Sequence, residues 1–205
     1  MLRRVFGAVW RSVIKVGLRW LPLEDPWEPA WALVPTRRFG TGSVHNFRWY
    51  FQGASSIPIR NLEEVCDWLC GCRYTSDREL FAQDDLWQHP LKFEELRQGD
   101  CEDHALWAWR KLVELGYRAE LVSGECRRGD GSWGGHVWVC FERDGQRYLL
   151  EAVAKDQDKM VRPLDSAKTE YCPNVAVASD FGRSGFHGYL HTLKRRLFAS
   201  TSSAA

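Results

Sequence analysis

Hydrophobic and polar residues recur with a helical period in three stretches of the chain, and strand-forming residues, partly alternating, gather in others. In "NLEEVCDWLCGCRY", Leu62, Val65, Cys66, Leu69 and Cys70 recur at helical spacing, with Asn61 placed to cap the start and Gly71 near the end. A second helix is expected from near Cys101, with Ala105, Leu106, Trp109, Leu112 and Val113 on its apolar side and Gly116 stopping it. "YRAELVSGEC", "HVWVCFE" and "QRYLLEAV" read as strands, and the pair Asp144-Gly145 joins the last two into a hairpin. Beyond Asp156 the pattern weakens. "SGFHGYLHTLKRRLF" holds material for a short closing helix, and "ASTSSAA" reads as a tail.

The opening "MLRRVFGAVWRSVIKVGLRWLP" reads as a helix ended by Pro22, with Arg4, Arg11, Lys15 and Arg19 on one side and Val5, Phe6, Val9, Val13, Val16 and Trp20 on the other. Arg11 and Lys15 interrupt the apolar run too early for a membrane span or an ordinary cleavable export signal. A cytoplasmic protein is therefore expected. Contact of residues 1–22 with a membrane surface, and docking of their apolar face on the domain or on a protein partner, both remain open. From Pro22 to Pro58 the chain is rich in Trp, Pro, Gly and Arg without sustained periodicity, as in an extended arm.

Composition narrows the class. The 205 residues, 44% hydrophobic, suffice for one domain with an appendage, and a net charge of +1 gives no global field for nucleic acid. Seven irregularly spaced cysteines fit a reduced compartment better than a disulfide framework. Cys66, Cys70 and Cys72 lack paired knuckle spacing, so buried structural thiols are the favoured reading for them.

Candidate chemistry gathers around Cys101. A nucleophilic thiol needs a base and a group that orients the base. Cys101 stands at a helix start, where backbone N–H groups favour a thiolate and can cradle an oxyanion. His136 begins a strand after the glycine-rich "GSWGG", and Glu151 lies on the partner strand of the same hairpin, so antiparallel pairing can bring both side chains onto one face. His104, three residues along the helix from Cys101, is tied to the helix surface and is the weaker base. The acids Asp100, Glu102 and Asp103 beside Cys101 oppose a thiolate, and their plainest role is at the helix start: Asp100 as cap, the others in the first turn.

"GDCEDHA" followed by "GGHVWVCFERDGQRYLLEAV", with "DDLWQHPLKFEEL" upstream, resembles the bacterial transglutaminase-like cysteine proteinases of the papain-like transglutaminase superfamily. The resemblance covers about Asn61 to Asp156. It implies an α+β, transglutaminase-like core with the nucleophile helix packed on an antiparallel β-sheet, over residues 61–195. The helix of 1–22 and the arm of 23–60 precede this domain, and a tail of 196–205 follows it. It also implies Cys101 as nucleophile, His136 as general base and then acid, and Glu151 as orienter, where the family's usual residue is Asp. Asp156 is the fallback for that role. Trp87 or Gln88 are the implied oxyanion donors. Some of these proteinases bind calcium through acids flanking the nucleophile, which here implies Asp100, Glu102 and Asp103, aided by backbone carbonyls, waters or acids such as Asp84 and Asp85.

The expected activity is acyl transfer on a polypeptide substrate, chiefly proteolysis. Transglutamination or deamidation by the same triad, and an inactive binding domain, are the alternatives. No cofactor is required for the chemistry itself. The rim that selects a substrate is expected to include Arg127, Arg128 and Trp133.

Overall fold

The computed structural model describes residues 16, 17, 19, 20, 22–30 and 39–199. Val16, Gly17, Arg19 and Trp20 are helical and Pro22 is not; the other positions of the amphipathic helix expected over 1–22 lie outside the described residues, as do Trp10 and Trp31. No helix among the described residues is long and apolar enough to cross a membrane.

In chain order the elements are strand β1 (Pro29–Ala30), a 3-10 helix (Phe47–Phe51), helix α1 (Leu62–Cys70), β2 (Arg73–Tyr74), α2 (Asp77–Phe81), α3 (Pro90–Leu96), β3 (Gln98–Gly99) and α4 (Cys101–Glu114). Then follow β4 (Ala119–Arg127), β5 (Trp133–Arg143), β6 (Gln146–Leu150), α5 (Gln157–Met160), β7 (Val161–Pro163), α6 (Leu164–Ala167), β8 (Tyr171–Ala178), β9 (Arg183–Phe186) and α7 (Gly188–Ala199). Among the described residues a seven-stranded antiparallel sheet runs in the order β1-β9-β8-β4-β5-β6-β7, with α4 packed on β4 and β5. This is the α+β arrangement expected, with the helix that opens at Cys101 lying on an antiparallel sheet.

Local chemistry explains the elements nearest the site. Asn61 Oδ1 accepts from the Glu64 backbone N–H at 2.9 Å and starts α1 where expected. Asp144 and Gly145 both take positive φ, 53° and 73°, as a two-residue hairpin turn requires. Gly116, at φ 87°, ends the turn after α4.

Sequence periodicity gave α4 one apolar side, yet Glu102 through Leu112 are all buried. Its charged residues are accommodated by partners. Arg110 donates to the backbone oxygens of Tyr50, Gln52 and Gly53, and Lys111 to that of Ile57. Trp107 stacks on Trp68 with centroids 3.9 Å apart and donates to Glu94. Each large apolar side chain so enclosed contributes about 1.5–3 kcal/mol of burial.

The Trp-rich lead-in is not merely extended. Phe39, Phe47 and Tyr50 join the core on the α4 face of the sheet. Trp27 packs on the other face with Trp138 and Tyr171, and its indole N–H reaches the Tyr171 carbonyl oxygen at 3.1 Å. The interior strand β8 escapes periodicity because it is buried on both faces and so shows no alternation. All seven cysteines are free thiols.

Candidate active site

Cys101 is the first residue of α4, at the mouth of a cleft of about 460 Å³ whose lining includes Trp87, Glu102, Gly135 and His136. The cysteine is half-buried, and its Sγ lies 3.1 Å from Glu102 Oε2, which accepts from the thiol. Burial, then the charges of Glu102 and Asp100, push the thiol pKa well up. The backbone N–H of Val137 opposes that shift. The helix start alone therefore does not yield a thiolate while the acids stand uncompensated.

His136 comes from β5 and Glu151 from the residue after β6. The β5–β6 ladder pairs Val139 with Leu150, so continuing it sets Glu151 across from Trp138, and His136 is two residues along on the same face. Contact is thus diagonal, and the longer arm of Glu spans it. His136 Nε2 lies 2.8 and 3.0 Å from the two carboxylate oxygens of Glu151. The Tyr171 hydroxyl donates to Glu151 Oε2 at 2.6 Å. Burial raises the Glu151 carboxyl, but the charge and hydrogen bond of His136, with the bonds from Tyr171 and Val153, hold it below the usual carboxylate value. Asp156 is elsewhere: it caps α5 and pairs with Lys159.

Tyr171 was not found from sequence. It sits at the start of β8, in a run with no alternation to give its direction.

The acids beside Cys101 do not group as expected. Asp77, at the start of α2, Asp100 and Glu102 each offer an oxygen within 4.8 Å of the others. Asp103 is turned away to Gln88, accepting from its backbone N–H at 2.8 Å and from its side-chain amide. Residues 102 and 103 are about 100° apart around a helix, and here their side chains leave the first turn in different directions. Nor does Asp100 cap α4 with its side chain.

Burial is the leading cause that lifts the carboxyl of Asp77 to about 6 and that of Glu102 to about 10, with neighbouring carboxylates adding to both. Asp77 Oδ1 and Asp100 Oδ1 are buried without a hydrogen-bond partner. Orphaned buried carboxylate oxygens converging with a third acid suit a hard cation such as calcium. Asp84 and Asp85 line the cleft but belong to other contacts: Asp84 pairs with Arg78, and Asp85 accepts from Thr41, the Gly42 backbone N–H and Trp87.

The two implied oxyanion donors are placed differently. Gln88 spends its backbone N–H on Asp103 and its amide on Asp103 and the Gln98 oxygen, so it braces α4 rather than facing a substrate. Trp87 does line the cleft, with its indole N–H given to Asp85 at 3.1 Å. His104 is wholly buried beside Phe93, and burial lowers its pKa to about 4; its Nδ1 bonds the Asp100 carbonyl. His89 caps α3 through Nδ1, while His187 and His191 contact Glu24.

No protein-family model and no curated protein sequence matches the chain. Among solved structures the chain is similar to LapG of Legionella pneumophila, at 18% identity over 91% of this chain and 97% of that one, with a TM-score of 0.47. The calcium-bound form of Legionella pneumophila LapG matches at 19% identity over 76% and 81% of the two chains, and the EGTA-treated form at 18% over 91% and 97%, each with a TM-score of 0.47.

Proposed function

We propose that the chain is a cysteine peptidase acting on polypeptides through Cys101, His136 and Glu151. The observation that carries this reading is one cleft lined by both Cys101 and His136, with His136 Nε2 held by a buried carboxylate. With Nε2 committed to Glu151, Nδ1 is the ring nitrogen left to exchange a proton with the thiol. Cys101 Sγ gives its proton to His136 and attacks the substrate carbonyl carbon, whose π electrons move to oxygen. The backbone N–H groups at the start of α4 receive the oxyanion, with the Trp87 indole as a further donor once it leaves Asp85. Collapse expels the amine, which takes the proton from His136, and water activated by the same imidazole releases the acyl group. An amine in place of water would make the same residues a transglutaminase.

Asp77, Asp100 and Glu102 would hold a calcium ion. When bound, the ion supplies positive charge beside Cys101 that offsets the carboxylates opposing a thiolate. The family resemblance of "GDCEDHA" supports this reading together with the donor geometry.

The test is labelling of Cys101 by iodoacetamide at neutral pH with calcium present, paired with an N-terminomic comparison of wild type and Cys101→Ala on a proteome. New N-termini that require Cys101 are expected. A thiol no more reactive than free cysteine, with no new N-termini, would overturn the proposal in favour of a binding domain; amine incorporation in place of new N-termini would make the transferase the main activity.

A further inference from the structure

The cleft that holds Cys101 and His136 is also lined by Ser123, Asn174 and Arg196, from β4, β8 and α7. Arg196 is set by a chain of contacts that begins at the first residue of β5. Trp133 carries the Arg195 guanidinium over its ring at 4.2 Å. Arg195 Nε donates to Glu125 Oε2 at 2.9 Å, and its Nη2 lies 2.8 Å from the same oxygen without the angle of a hydrogen bond. Arg196 touches the other oxygen of the same carboxylate, through Nε alone, at 3.2 Å. The Glu125 side chain is 5% exposed and Arg196 is 58% exposed.

One buried carboxylate therefore faces two guanidinium groups, and its better geometry is spent on Arg195. Within this group of three one positive charge is left over, on the arginine whose Nη groups have no partner among the described residues, in a cleft whose lining also includes Asp84, Asp85 and Glu102. Anchoring Nε while leaving the Nη pair presents a forked donor suited to a carboxylate. Resting on the peptidase reading, we infer that Arg196 determines specificity: it receives an Asp or Glu side chain of the substrate polypeptide, at a position near the bond opened by Cys101. Trp133, Arg195 and Glu125 are positioning residues for it.

The test uses the full chain with calcium and a mass-spectrometry-read library of unstructured peptides in which each position cycles through Asp, Asn and Lys. Wild type is expected to prefer Asp over Asn at one position by about tenfold in kcat/KM, the low end for a hydrogen bond between charged groups. Arg196→Gln should abolish the preference, and Arg196→Glu should turn it toward Lys. Salt should weaken the wild-type preference, because the arginine is exposed. Binding of the same peptides to Cys101→Ala, read by fluorescence anisotropy, gives the preference without turnover. Absence of turnover alongside Asp-selective, Arg196-dependent binding would sink the catalytic reading and leave standing only the recognition of an acidic side chain by Arg196. Equal binding and equal turnover of Asp and Asn peptides at every position would overturn the inference, as would a preference unchanged in both Arg196 variants.

Discussion

His136 and Glu151 meet as a diagonal pair on one sheet face, with Nε2 2.8 Å from Oε2 and the Tyr171 hydroxyl 2.6 Å from the same oxygen. The carboxylate is thereby fixed against both rotation and protonation. Glu151→Gln keeps the size but removes the carboxylate charge, and should lower kcat by up to about 10⁴-fold, the effect of the corresponding Asp→Asn change in a serine-protease triad. Tyr171→Phe loses one bond to the carboxylate and should cost about tenfold or less. Steady-state peptide cleavage, with iodoacetamide labelling of Cys101 as a second readout, checks both. A Glu151→Gln enzyme as active as wild type would remove Glu151 from the mechanism.

The parts legible in sequence were those whose cause is local. The Asn61 cap, the Asp144-Gly145 turn and the β-branched and aromatic run of β5 each declare themselves within a few positions. His136 and Glu151 could be paired because a tight hairpin transmits register. Asp77 and Tyr171 could not be found this way. Asp77 follows Ser76, which caps α2 through its side chain, and it reads as an ordinary first-turn acid. Only tertiary packing brings it to Asp100 and Glu102. Asp103 adjoins Cys101 in sequence but faces Gln88, a direction set by packing rather than by nearness along the chain.

The buried pair Glu94 and Lys111, 3.4 Å apart with each side chain 3% exposed, should dominate stability near the lead-in. Burial raises the Glu94 carboxyl, but bonds from Ser55 and Trp107, the Lys111 charge and the Ser56 backbone N–H outweigh it and leave the net shift downward. A depressed folded pKa contributes stability fully present above the unfolded value, about 4.3, and lost as pH falls through the lower folded value. Glu94→Gln should therefore destabilise the protein at pH 7 and flatten its loss of stability in that acid window. Lys111→Met leaves Glu94 without its counter-charge and should cost about 3–5 kcal/mol in urea unfolding. A loss under 1 kcal/mol in that variant would contradict the pairing.

Gly124 pairs with His136 across β4 and β5, and the β4–β8 register shifts between Ser123 and Gly124. A Cβ here would collide with the Cys172 carbonyl oxygen and crowd the Trp138 ring. Gly124→Ala should push β8 away, costing about 1–3 kcal/mol, and should disturb the wall that carries Asn174. Denaturation midpoints and peptide turnover should fall together. Full activity at unchanged stability would mean that the strands absorb the methyl without moving.

Calcium separates the two possible sets of acids. Wild type should gain thermal stability with added Ca2+, by about 2.7 kcal/mol at 100 times Kd, and lose that gain in EGTA. Asp77→Asn should abolish the response while raising the Tm of the chelated protein, since it removes charge from a buried cluster with orphaned oxygens. Asp103→Asn should keep the response, because Asp103 serves Gln88. Its Tm should fall through the lost match with the Gln88 amide. The opposite pattern, with the response surviving Asp77→Asn and vanishing in Asp103→Asn, would return the ion to the three acids contiguous with Cys101. Parallel turnover assays then tell whether the ion acts on the thiol or only on folding: if calcium serves Cys101, Asp77→Asn should lose iodoacetamide reactivity at a temperature where it remains fully folded.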